Sequence, residues 1–251
     1  NALTETNHTH MGDFHQNSTV TTLHNLCDRP VAELEAELTE FAKTRAMGLI
    51  LPSLYSEIHT EALPRIIAEL ESVPYLDNIV IGLDRADEAD YRHALRFYSA
   101  LPQEHKVLWN DGPRLRALDE KLKEQGLSPT EAGKGRNVWF CLGYTLAKGR
   151  AHAIALHDCD ILTYDRSLLA RLIYPVANPR FSYQFAKGYY SRVAGGKMNG
   201  RVTRLLITPL LRALEQVVGP HGPHDYLRYM DGFRYPLAGE FSFRREVIPD
   251  I

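Results

Sequence analysis

The chain has 251 residues, 44% of them hydrophobic and 24% charged, with a formal net charge of −2. That balance suits one large α/β domain with a substantial core. No apolar run approaches the roughly 20 residues that cross a bilayer, and Cys27, Cys141 and Cys159 are too few and too far apart for a disulfide framework or a zinc knuckle. With no basic-then-apolar leader, a cytoplasmic location is expected.

Residues 1–30 are polar, with His8, His10, His15 and His24 among Thr and Asn, and read as an irregular arm. Asp28 and Pro30 open a helix whose apolar stripe is Leu34, Leu38 and Phe41. Met47 to Leu51 is a first buried strand ending at Pro52-Ser53. Residues 61–70 are helical, and Asn78 to Leu83 is a second strand ending at Asp84. A helix over 88–99 precedes a third strand, Lys106 to Trp109, closed by the turn Asn110-Asp111-Gly112-Pro113. Residues 114–125 form a charged helix and 137–147 a more apolar one. Ala153 to Leu156 is the fourth strand and 168–173 a short helix. Residues 181–193, rich in Tyr and Phe with period-two alternation, read as a later antiparallel strand. Residues 201–214 read as a helix interrupted by Pro209. Strands alternating with helices predict a mostly parallel sheet with helices on both faces. Ligands of such sheets bind beyond the carboxyl ends of the strands.

The fourth strand runs into His157-Asp158-Cys159-Asp160. Side chains alternate along an extended chain, so the two carboxylates are expected to point the same way. Hard divalent cations such as Mg²⁺ or Mn²⁺ take such oxygens and share their other positions with substrate phosphates. The Gly133-Lys134-Gly135-Arg136 turn just upstream supplies a cation suited to phosphate, so the pair reads as a metal–diphosphate site. His157 is a candidate ligand or base, though a packed role is the commoner one at a strand end. No Walker A loop, dinucleotide fingerprint or Gly-x-Ser-x-Gly elbow is present.

Charge is unevenly spread. From residue 166 to residue 214 there is no acidic residue, while the interval holds Arg166, Arg171, Arg180, Lys187, Arg192, Lys197, Arg201, Arg204 and Arg212. A single-sign stretch points to an anionic partner. RNA is one such partner, given Tyr183, Tyr189 and Tyr190 beside these cations, but strand packing accounts for the aromatics and no recognised nucleic-acid motif accompanies them.

Taken together, these motifs resemble the retaining nucleotide-sugar glycosyltransferases of the GT-A fold, above all glucosyl-3-phosphoglycerate synthases and their mannosyl- and glucosylglycerate-forming relatives. The resemblance rests on Leu51-Pro52-Ser53 with Glu57, Gly133-Lys134-Gly135, His157-Asp158-Cys159-Asp160-Ile161 and Lys187-Gly188-Tyr189-Tyr190-Ser191-Arg192. It continues through Gly200-Arg201-Val202-Thr203 and Pro236-Leu237-Ala238-Gly239-Glu240-Phe241. It covers residue 47 onward, with residues 1–46 a separate arm and helix. It implies a metal-assisted transfer of a hexose, glucose above others, from a UDP-sugar to 3-phosphoglycerate or glycerate, without nucleic acid or membrane and with a homodimer as one assembly. The alternatives are a module that holds the nucleotide-sugar without catalysis, or a mannosyl or other-acceptor transferase of the same fold. By resemblance, Pro52, Ser53, Leu54, Glu57, Asp84, Lys134, Asp158, Cys159 and Gly239 contact the nucleotide-sugar, with Asp158 and Asp160 as metal ligands. Gly200, Arg201 and Thr203 take the acceptor. Asp160, Lys134 and Glu240 serve catalysis, with Glu240 near the transferred sugar. The family pattern continues with an acidic segment and a metal-binding His downstream of residue 251.

Overall fold

The structure, a computed structural model, describes residues 20–26, 28–129, 131–190, 193–194, 197–198, 201–219 and 222–250. It divides into two compact units, one of His24–Tyr190 with Leu237–Ile251 and a smaller one of Asn1–Leu23 with Ser191–Pro236.

In the larger unit the elements run α1 (Val31–Ala42), β1 (Met47–Leu54), α2 (Ala62–Leu70), β2 (Leu76–Asp84), α3 (Glu88–Tyr98), β3 (Glu104–Trp109), α4 (Pro113–Glu124), α5 (Lys134–Lys148), β4 (Ala153–Leu156), α6 (Arg166–Ala177) and β5 (Phe185–Lys187). In the smaller unit β6 (Val193–Ala194) pairs with β7 (Lys197–Met198), and α7 (Thr208–Val218) and α8 (His224–Asp231) follow. The chain then returns to the larger unit as β8 (Phe241–Arg244). The six-stranded sheet has the order β3-β2-β1-β4-β8-β5. The first four strands are mutually parallel, and β8 is antiparallel to both neighbours.

Alternation along the strands divides the core in two. Leu49, Leu51, Ile79, Ile81, Ala153 and Ala155 face α1, α2, α3 and α6. Ile50, Val80, Leu108, Ile154, Leu156 and Phe243 face α5, through Cys141 and Leu142. Strands buried on both faces read as continuous apolar runs, which is why β1, β2 and β4 stand out in the sequence.

Helix α5 lies unusually close to the sheet at Gly82 of β2. Asn137 donates from Nδ2 to the Gly82 carbonyl at 2.9 Å, and a methyl on Gly82 would overlap the Asn137 side chain and stand 2.7 Å from Cys141 Sγ. Gly82→Ala should therefore push Asn137 aside and strand a buried carbonyl. A loss of about 1–3 kcal/mol is expected from the overpacking, read as a lowered urea midpoint. Adding Asn137→Ala should recover part of it; strictly additive losses would show that the contact is not what fixes the spacing.

Several expectations are corrected. Of residues 181–193, Phe185–Lys187 form the strand in the sheet, because β8 offers partners to those three alone. The helix expected at 168–173 runs from Arg166 to Ala177, through Pro175. Pro209 stands in the first turn of α7, and the helical run that leads into it departs from α geometry just before the proline. The turn before it, Thr203–Ile207, is a π-helix. The sequence reading overlooked β8 and α8. Among the described residues no helix is long and apolar enough to cross a membrane.

Candidate functional site

The strand ends converge as the parallel topology requires. Ser53 and Leu54 close β1, Asp84 closes β2, and Asn110 follows β3. His157 through Asp160 follow β4, and Gly239-Glu240 lead into β8 beside it.

The acidic pair is not on the strand. β4 ends at Leu156, and Asp158 and Asp160 sit in the segment beyond it, bent at Cys159. The shared direction survives, because burial still alternates: His157 and Cys159 are buried, while Asp158 is half-buried and Asp160 exposed. Burial drives the Cys159 thiol well above its ordinary pKa, and holds His157 down to about 4, so its imidazole is neutral. His157 packs against Tyr164 with ring centroids 4.8 Å apart. It is a packed residue at the strand end, which leaves the open positions to two hard carboxylates.

Lys134, the first residue of α5, forms an ion pair and hydrogen bond with Asp158 Oδ1. Gly133 just before it takes φ 155°, a backbone that a side chain would strain. Gly239 closes over the same carboxylate from β8: a Cβ there would lie 2.6 Å from Asp158 Oδ2 and 2.9 Å from Oδ1. Glu57 accepts from the Leu54 amide at 2.8 Å. Its pKa is raised, chiefly by burial and further by the nearby charges of Asp160 and Asp158. Buried Ser53 receives the Tyr98 hydroxyl at 3.2 Å, and Pro52 is buried in β1.

Asp84 is also buried and raised by desolvation, which a 2.8 Å hydrogen bond from Asn110 and the positive charge of Arg136, 3.9 Å away, partly offset. Arg85 beside it takes φ 56°, a left-handed conformation costly for a residue with a side chain. Glu240 is 4% exposed, receives the Tyr190 hydroxyl at 3.3 Å through Oε1, and among the described residues has no hydrogen-bond partner at Oε2.

Pro52, Ser53, Leu54, Glu57, Asp84, Lys134, Asp158, Cys159, Asp160, Gly239 and Glu240 thus all belong to one unit and its strand ends. Arg201 and Thr203 belong to the smaller unit, at the start of its long helical run, and Gly200 lies outside the described residues. Arg136 and Asn110 were not singled out from sequence. Asn110 was absorbed into a turn signal, and Arg136 stood beside a lysine that already explained the motif.

The donor set suits a hard cation. Two carboxylates held on one side, with thiol and imidazole turned inward, fit Mg²⁺ or Mn²⁺, which commonly take one or two carboxylates and complete their shell with phosphates and water. Among the described residues there is no cluster of three or more His, Cys, Asp or Glu that would cage a metal without such help.

No family model matches the chain. A glucosyl-3-phosphoglycerate synthase of Persephonella marina is 49% identical over 235 residues, covering 94% of this chain and 57% of the relative. One from Methanococcoides burtonii is 36% identical over 243 residues, covering 95% of this chain and 58% of the relative. The chain resembles glucosyl-3-phosphoglycerate synthases. It spans a little over half the length of these curated relatives. Among solved structures, a mannosyl-3-phosphoglycerate synthase from Rubrobacter xylanophilus superposes with a TM-score of 0.58 at 21% identity, over 88% of this chain and 60% of that one. The glucosyl-3-phosphoglycerate synthase of Mycobacterium tuberculosis, in complex with Mn²⁺ and UDP-glucose, gives 0.55 at 21%, over 87% and 61%. The fold is the GT-A fold of nucleotide-sugar transferases.

Proposed function

We propose that this chain carries the donor site of a retaining glycosyltransferase that moves glucose from UDP-glucose to 3-phosphoglycerate with the help of Mg²⁺ or Mn²⁺. Residue 47 onward is its GT-A domain. The observation that carries the reading is Asp158 and Asp160 beyond β4, flanked by Lys134 and by the Gly239 backbone, in a chain 49% identical to a glucosyl-3-phosphoglycerate synthase. The M. tuberculosis relative has been seen with Mn²⁺, UDP and phosphoglyceric acid together. Two buried free cysteines, Cys141 and Cys159, suit a reducing cytoplasm.

Asp160 and Asp158 would hold the cation, which when bound offsets the negative charge that builds on the departing diphosphate. The protein's part is positional and electrostatic. Lys134 neutralises Asp158 and brings a mobile cation to the phosphate side of the cleft. Pro52, Ser53, Leu54, Glu57 and Asp84 form the wall formed by the ends of β1 and β2, where the uridine would lie. Glu240 presents a buried acceptor oxygen to the sugar hydroxyls. The acceptor falls to Gly200, Arg201 and Thr203. The resemblance to retaining transferases implies transfer on one face of the sugar, assisted by the leaving phosphate.

The test is thermal unfolding with UDP in the presence of Mn²⁺ and again with EDTA. Ligand at a hundred times its Kd should stabilise the protein by about 2.7 kcal/mol. EDTA should remove most of that gain. Stabilisation indifferent to EDTA would sink the metal-site reading. UDP release and glucosyl transfer on adding UDP-glucose and 3-phosphoglycerate would separate an enzyme from a module that merely holds the nucleotide.

A further inference from the structure

Lys187 stands outside every role given above, yet it is tied to the site more closely than its place at the end of a three-residue strand suggests. Its Nζ donates to the Ala238 carbonyl at 2.6 Å and sits over the Phe241 ring, 5.6 Å from the centroid. The next amide, Gly188, donates to the Glu240 carbonyl at 2.9 Å. Two successive residues of one segment thus grip both ends of Ala238-Gly239-Glu240. The middle of that tripeptide is the backbone packed against the Asp158 carboxylate. Its last residue holds the carboxylate oxygen that has no partner among the described residues.

We propose that Lys187 is a positioning residue for transfer: by holding the Ala238 carbonyl it fixes the tripeptide so that Glu240 faces the donor sugar. This rests on the glucosyl-transfer reading of the site. The chemistry favours a lysine for two reasons. Its alkyl stem packs on Phe241 while its ammonium reaches a backbone acceptor. The charge also stands where it feels both the Glu240 carboxylate and the Lys134 ammonium, one attractive and one repulsive.

The experiment compares the parent with Lys187→Met, which keeps the stem and removes the donor and the charge, and with Lys187→Arg, which restores both. Readouts are Mn²⁺-dependent UDP binding and steady-state transfer from UDP-glucose to 3-phosphoglycerate. Lys187→Met should lower kcat by about tenfold, with the KM values and UDP affinity held within about twofold. Lys187→Arg should recover part of kcat. Transfer by Lys187→Met at the parental rate would overturn the proposal. So would a loss of UDP affinity and kcat together that Arg does not relieve, since that marks a residue needed only for folding. A parent that transfers no glucose overturns the functional reading itself and this inference with it.

Discussion

Gly239→Ala should abolish most metal-dependent UDP binding while leaving the fold nearly as stable as the parent. The added methyl would stand 2.6 and 2.9 Å from the two Asp158 oxygens, closer than a carbon and a carboxylate oxygen approach each other. Something must shift, and the choices are unequal. Gly239 is gripped on both sides by the bonds from Lys187 to Ala238 and from Gly188 to Glu240. Asp158 is a side chain on a bent segment, held by the flexible end of Lys134, so the carboxylate is what yields. Rotation carries it off the side it shares with Asp160 and strains its pairing with Lys134. Displacing a group that orients a metal site typically costs 10–100-fold in affinity, and about that loss is expected here. Asp160→Ala, which removes an oxygen outright, should be as severe. Calorimetric titration of UDP with and without Mn²⁺ reads the effect. The decisive comparison is metal-free binding, which both variants should retain. Parental Mn²⁺ dependence in Gly239→Ala would show that Asp158 does not serve the cation.

The parallel half of the sheet was legible because its strands are buried on both faces and read as apolar runs ending in turn residues or acids. Asp84, Asp158 and Asp160 could be assigned to one end of the sheet on that basis alone. The other half was not legible. β8 is four residues long, and one of its buried positions is Ser242, whose hydroxyl is satisfied by the Leu172 carbonyl. No periodicity rule would choose a serine for a core. α8 buries Leu227 alone among eight mostly polar residues, too little for an apolar stripe. Gly239 and Glu240 were reached through the family resemblance. Their physical meaning appeared only when β8 was seen lying antiparallel beside β4, a strand far away in sequence. Lys187 is the sharper case. It stood as one cation among nine in the basic interval and opened a motif of the family resemblance, with no role attached to it. Its bond to Ala238 depends on two segments meeting at the end of the β5–β8 ladder.

Arg201→Ala should weaken 3-phosphoglycerate binding by tens-fold or more and leave UDP binding nearly intact. The resemblance assigns this residue, with Thr203, to the acceptor, and the smaller unit shows what each brings. Arg201 is exposed and opens the helical run that continues through the π-helix and α7, so its guanidinium is open to a ligand. Among the described residues Thr203 Oγ1 is buried without a hydrogen-bond partner, so its hydroxyl proton is uncommitted. Phosphoglycerate carries a phosphate and a carboxylate, and a planar guanidinium pairs with either through two parallel N–H bonds. Losing one side of such a pair costs about 2–5 kcal/mol, much of it from the charge left unmatched. Arg201→Lys should recover only part, because an ammonium cannot make the forked contact. Thr203→Val, which keeps the shape and removes the donor, should cost a further, smaller share, about 1 kcal/mol. Titrating both ligands against all three variants separates the two subsites. An unchanged phosphoglycerate affinity in Arg201→Ala, or an equal loss of UDP, would remove the acceptor from this end of the helix and leave the basic interval without its assigned anion.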